Sequence, residues 1–314
     1  KTYLKKENII VYDEHYIHTW PKHPYDYLVK IIKDKKWDKL SIGLEMDAHY
    51  FTAFCYEKIK QGLPNAKIKD SERLVNWARL VKSNTEIDYM KSAAKISEIG
   101  MKTAFDVIKP GVRQCDAVGE IQKALFYGTP EFGGEYSSIA TLLPTGKGTS
   151  ASHLTATQDK FVEGEATIIE LSGVYKRYHA PMARTVLLGK PDQLKIDTMK
   201  KTIEALQAGI DATKPGNRVD DVAQAFWKVL DKYGIEKKSR TGYSIGIGYP
   251  PDWGEHTLNI YKGDMTLLEP NVCFHMIAVM QFGDWGVEAS EAIRVTDNGA
   301  ELFCNMPKEL HVKS

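Results

Sequence analysis

Cysteine is scarce in this chain. Cys55, Cys115, Cys273 and Cys304 are scattered, none belongs to a Cys-x-x-Cys pair, and so neither a zinc knuckle nor a redox dithiol is signalled. Reduced structural thiols are expected, and with them a cytoplasmic protein. Long apolar runs are also missing. A membrane-spanning helix needs roughly 18 uninterrupted apolar residues, which nothing here approaches, and Lys1-Thr2-Tyr3-Leu4-Lys5-Lys6 lacks the apolar stretch of a secretory signal. Net charge is nearly absent too. With 42 Lys and Arg against 41 Asp and Glu, the formal charge is +1, and no global field draws nucleic acid or an anionic membrane. The expected partner is a small neutral or zwitterionic molecule. What is present is length, 314 residues of which 43% are hydrophobic, enough for two domains with buried cores.

Residues 8 to 70 alternate short β-rich runs with helical patterns: Ile9 to Tyr12, Tyr25 to Ile32, Leu40 to Leu44, Tyr50 to Ile59 and Ala66 to Ile68. That alternation predicts a small α/β domain. A polar stretch, Lys82-Ser83-Asn84-Thr85-Glu86, carries helix-capping residues. After it Ile87, Met90, Ala94, Ile96, Ile99, Met101, Ala104 and Val107 mark a long amphipathic helix that stops at Pro110-Gly111. The boundaries read as a first domain over 1–72, a linker over 73–85 and a second domain over 86–314. Further helices are expected at Asp116 to Phe126, Lys195 to Asp211 and Val219 to Tyr233. Strands are expected at Thr167 to Leu171, Arg184 to Leu188, Asn271 to Phe282 and Val287 to Val295, giving an α+β second domain. Helices ending in Lys109-Pro110-Gly111 and Lys214-Pro215-Gly216 echo one another, which a duplicated unit or two ordinary helix stops would equally explain.

Four stretches carry candidate chemistry. Glu170 sits in the apolar run Ala166 to Gly173, where a carboxylate is expensive to desolvate unless it is paired or used; the alternative is a strand end reaching solvent. Gly242 to His256 interleaves glycines with Tyr243, Asp252, Trp253, Glu255 and His256; it lacks the Gly-Lys-Ser/Thr of a phosphate loop and reads as a ligand-approaching turn or an ordinary aromatic one. In Gly286 to Ala292, strand alternation puts Glu288 and Ser290 on one face and Glu291 on the other. His153 is a lone histidine among small polar residues, for which a structural hydrogen bond is the commoner use.

Together these segments, with the long helix and the Leu268-Glu269-Pro270 turn, resemble the pita-bread fold of creatinase, prolidase and methionine aminopeptidase over most of residues 70 to 305. The resemblance implies a pita-bread catalytic domain preceded by a small creatinase-type α/β N-terminal domain, and a homodimer. Metallopeptidases of that family bind two metal ions through two Asp, one His and two Glu. Aligned on Gly173, Arg184-Thr185, Gly242 and Leu268-Glu269-Pro270, those positions hold Glu170, Pro181, Tyr243, Ile277 and Ser290. Proline and isoleucine offer no side-chain donor, so no dinuclear site, and no other cofactor, is expected. Leu74 to Arg79, Tyr178 to Thr185 and Gly242 to Leu258 look closest to the ectoine hydrolases, metal-free members that open a cyclic amidine to an N-acetyl-diaminobutyrate.

That resemblance implies Glu170 as nucleophile or general base, His153 and His256 as substrate-binding and proton-shuttling histidines, and Tyr243 as a hydrogen-bond donor. Glu288 or Glu291 would hold the amidinium, with Trp253 and Trp285 over the cation's flat face unless they simply pack in the core. A creatinase-like amidinohydrolase on a guanidino compound, a non-catalytic binding scaffold and a metallopeptidase are the competing readings.

Overall fold

A computed structural model describes residues 4–190 and 192–313. The chain divides between Trp77 and Ala78 into two compact units. The first contains α1 (Pro24–Asp34), β1 (Ser41–Leu44), α2 (Ala53–Gly62), β2 (Lys67–Asp70) and all but the last residue of the short α3 (Leu74–Ala78). Pro24 opens α1 behind a reciprocal cap in which the His23 ring accepts from Tyr25 N–H and the Asp26 carboxylate accepts from His23 N–H. β1 and β2 pair in parallel, and Val29, Ile59 and Leu63 form a small core beneath them. Ile9 to Tyr12, expected as a strand, is exposed and irregular: β-branched residues make a strand only when a neighbour supplies the ladder bonds, and none is paired with it among the described residues.

The second unit opens with α4 (Asn84–Val107), capped by Ser83 and Glu86. Ile87, Met90, Ala94, Ile96, Met101 and Ala104 form its buried stripe, each large side chain contributing about 1.5–3 kcal/mol of transfer free energy. The order continues with α5 (Gln114–Tyr127), β3 (Ala166–Tyr175), β4 (Tyr178–Leu188), α6 (Gln193–Ala212), α7 (Val219–Lys232), β5 (Gly242–Tyr249), β6 (Asp252–Asn259), β7 (Cys273–Phe282), β8 (Trp285–Thr296), β9 (Gly299–Leu302) and β10 (His311–Lys313). One sheet runs β10-β4-β5-β7-β8-β9, with β3 on β4 and β6 on β5. All its pairings are antiparallel except β10 with β4. The unit is α+β, as expected.

The echo of Pro-Gly stops is a structural repeat. Gly111 and Gly216 take φ of 83° and 86°, and both α5 and α7 are 14 residues long. Arg113 bridges Lys160 as Arg218 bridges Leu267. The α4–α5 pair is followed by the antiparallel β3–β4 hairpin that carries Glu170, and the α6–α7 pair by β5–β6 and then the β7–β8 hairpin that carries Ile277.

Gly242 to His256, read from its glycines as a turn, lies instead in the β5–β6 hairpin, which turns at Pro250-Pro251. Low intrinsic strand preference is overridden by close packing: a Cβ on Gly242 would meet His275 O at 2.4 Å, and one on Gly246 would meet Glu255 Oε1 at 2.3 Å. At the helix–sheet contact, the Ser97 hydroxyl accepts from Gly173 N–H at 2.7 Å and donates to Ala180 O at 2.5 Å. This pins the β3–β4 hairpin on α4 and fixes the strand that carries Glu170.

Candidate active site

Glu170 lies near the middle of β3, opposite Ala183 on β4, and is buried. Its carboxylate receives no side-chain or backbone hydrogen bond among the described residues. Burial, and then the charge of Asp252, push its pKa up to about 7. Glu288 reaches the same region from β8. Its backbone is locked by Thr185, whose hydroxyl donates to Glu288 O and accepts from Glu288 N–H, both at 2.8 Å. The side chain is held by nothing comparable: Glu288 Oε1 is buried without a hydrogen-bond partner. Burial and then the negative charge of Glu170 raise the Glu288 carboxyl well above its ordinary range, against an opposing pull from Lys237. Two buried carboxyls therefore lie within electrostatic reach of each other, and no hydrogen bond reaches Glu170 or Glu288 Oε1, an arrangement that a cation relieves.

The wall beside them is a hydrogen-bonded chain. Trp253 Nε1–H donates to Tyr243 Oη at 2.8 Å, and Tyr243 Oη lies 3.3 Å from His275 Nδ1. His275 Nε2 lies 2.6 Å from Ser290 Oγ, which accepts from Ala183 N–H at 2.7 Å. Burial, then the Arg184 charge, lower the His275 pKa to about 3, so its ring is neutral. Burial, then Glu170, keep the Tyr243 phenol above its ordinary value and protonated, a donor beside the acids. Asp252 completes the acidic side. Burial raises its carboxyl, but the His256 ring and the amides of Gly254 and Trp253 outweigh that and keep it ionised. His256 Nε2 stands 3.0 Å from Asp252 Oδ2, in the left-handed region with φ 54°.

Residues 88–297 fit the model of metallopeptidase family M24, and residues 2–81 fit that of the creatinase/prolidase N-terminal domain. The chain belongs to family M24. An ectoine hydrolase from Halomonas elongata is 42% identical over 318 aligned residues, covering 99% of this chain and 80% of that one. An uncharacterized hydrolase/peptidase from Sinorhizobium fredii is 38% identical, with 99% and 80% covered. Among solved structures, the Xaa-Pro dipeptidase from Bacillus anthracis matches with a TM-score of 0.81 at 23% identity, over 92% of this chain and 78% of that one, a likeness of fold. The M24 chain is thus a hydrolase with a creatinase-type N-terminal domain and a pita-bread domain. No described helix is long and apolar enough to cross a membrane.

In this M24 hydrolase the candidate residues separate by place. Glu170, Tyr243, Trp253 and Glu288 come together, and Asp252 brings His256 to their edge. Trp253 is fully buried, so it supports Tyr243 and offers no open ring face. Glu291 is on the opposite side of β8, as alternation predicts, and is taken: Arg184 Nη2 donates to it at 2.6 Å with both side chains wholly buried. That leaves Glu288 as the carboxylate partner of Glu170. Trp285, at the end of the β7–β8 hairpin, stacks on Phe282 with centroids 4.7 Å apart and lines a shallow depression with Lys147 and Lys195. His153 is on an exposed loop with φ 64°. That loop runs beside the site, because Leu142 bridges both Thr155 and Glu170. Sequence reading missed His275 and Lys237. A histidine inside the apolar strand Cys273-Phe274-His275-Met276 is a signal of the same kind as Glu170; Lys237, in an irregular segment, has no such signal.

Proposed function

We propose that this M24 member is a metal-independent hydrolase that opens the cyclic amidine of an ectoine-type zwitterion to an N-acetyl-diaminobutyrate. The observation that carries the reading is the Glu170–Glu288 pair, two buried carboxyls with no protein cation bound between them. An amidinium supplies that cation, with two N–H donors on the two nitrogens that flank its electrophilic carbon. The relative named ectoine hydrolase, matched over 99% of this chain, supports the same substrate class.

The donors present do not fit the family's pair of metal ions. Pro181 and Ile277 have no ligating atom, Ser290 Oγ is engaged by His275 and Ala183, and Tyr243 Oη is engaged by Trp253. Only Glu170 keeps an available oxygen among the five matched positions. The chemistry therefore falls to side chains. Glu288 holds the amidinium while Glu170 brings an oxygen to the amidine carbon: as base, that of a water it deprotonates; as nucleophile, its own, after which a water cleaves the Glu170 ester and restores the carboxylate. As that C–O bond forms, the C=N electrons move to a ring nitrogen. The C–N bond to the other ring nitrogen then breaks, that nitrogen takes up the proton released from water, and the product is an amide and an amine. Tyr243, kept protonated, donates toward the charge that develops.

Product analysis after incubation with ectoine and with creatine tests this. Ectoine is expected to give the acetylated diamine, Glu170→Gln to abolish turnover, and chelator to leave the rate unchanged. Creatine cleavage without ectoine cleavage would favour an amidinohydrolase instead, and a chelator-sensitive rate restored by Mn²⁺ would refute metal independence.

A further inference from the structure

The acidic pair accounts for one end of a zwitterion, and the cation-rich segment between α7 and β5 addresses the other. Arg240 is exposed and lies with its Cζ 4.5 Å from the centroid of the Tyr243 ring, the residue whose other charged neighbours are Glu170 and Asp252. No carboxylate and no hydrogen-bond acceptor engages its guanidinium among the described residues. Stacking occupies only the flat face of a guanidinium; the five N–H donors remain in its plane, where they match a carboxylate in a two-pronged contact. Lys237, on the same segment, has its Nζ 2.7 Å from Ser239 Oγ and is likewise without an acidic partner within ion-pair distance. Its charge is felt by Glu288. An arginine held on an aromatic ring, with its edge free, beside a pair of acids that lack donors, is a charge-separated site with Tyr243 as the spacer.

We propose that Arg240, stacked on Tyr243, is the specificity-determining residue that takes the substrate's carboxylate, so that the site selects a compact zwitterion whose cation enters toward Glu170 and Glu288. This rests on the ring-opening reading for the identity of the cationic end, and it assigns the anionic end to a residue that does no chemistry. Lys237 assists as a second positive charge. A cationic amidine without a carboxylate would gain nothing from Arg240 and would be bound only by the acids.

The test compares ectoine with the same methylated cyclic amidine lacking the carboxylate, using wild type, Arg240→Gln and Arg240→Lys. Initial rates give kcat and KM, and calorimetry gives affinity. Wild type is expected to prefer ectoine, and Arg240→Gln to lower that preference about 10- to 100-fold, the scale of a charged hydrogen-bond pair, through KM and affinity with kcat much less affected. Arg240→Lys, which keeps charge but loses the planar fork, should fall between. Equal losses for both amidines, an unchanged preference, or a wild type that binds neither ligand or both alike would each overturn the proposal. Wild type that binds ectoine preferentially through Arg240 yet hydrolyses nothing would refute ring opening and leave the carboxylate contact standing.

Discussion

Replacing Glu170 by Gln should stabilise the protein while it abolishes turnover, and the gain should depend on pH. The carboxyl is buried and lacks donors, and its pKa rises from the ordinary 4.5 to about 7. At about 1.4 kcal/mol per unit, keeping it ionised in the folded state costs about 3 kcal/mol. Because the folded value lies above the unfolded one, the folded state binds more protons between these values. The group's contribution to stability is therefore complete below pH 4.5 and disappears as pH rises through about 7. Glutamine keeps the volume and never ionises. Urea denaturation of wild type and Glu170→Gln, followed by tryptophan fluorescence without substrate, should show near-equal stability at pH 4.5. At pH 8 the variant should be more stable by about 3 kcal/mol, less whatever the unfolded chain retains. Equal stability at pH 8, or a variant weakened there, would show that Glu170 has a compensating partner and would refute the picture of an acid waiting for a cation.

Further expectations follow from neighbouring contacts. The rate kcat/KM should fall as pH drops below about 7, where Glu170 protonates. Asp252→Asn, by removing a charge that raises that pKa, should shift this limb toward acid in a pH–rate profile. Lys82, buried with its Nζ 2.5 Å from Glu255, is the partner of a carboxyl that burial nevertheless pushes up to about 7. Lys82→Met should cost about 3–5 kcal/mol at pH 8 and less at pH 5, where Glu255 can protonate, and adding Glu255→Gln should recover part of it by thermal denaturation. Gly173→Ala would place a Cβ 2.3 Å from Ala93 O and 2.5 Å from Ser97 N, so the β3–α4 contact must open. A loss of about 2–4 kcal/mol is expected, with activity falling because Glu170 shifts.

Local pattern determined much of this protein. The Ser83–Glu86 cap and the stripe from Ile87 to Ala104 define α4 within two residues, because capping and burial of one face are decided by neighbours in sequence. Period-two alternation set Glu288 and Glu291 on opposite faces of β8, and a carboxylate inside an apolar run marked Glu170. What alternation could not reveal is which acid is already taken. Arg184 reaches Glu291 across 107 residues, and that ion pair, not any property of the segment itself, leaves Glu288 to face Glu170. The β5–β6 hairpin was hidden for a related reason: its glycines lower local strand preference, and only the approach of His275 and Glu255 explains why they are required. The linkage of His275 to Tyr243 and Ser290 likewise exists only once β5, β7 and β8 are assembled. Charge balance and hydrogen-bond supply depend on which chains meet in space, so the sequence could name the acids but only the tertiary structure could say which of them still needs a cation.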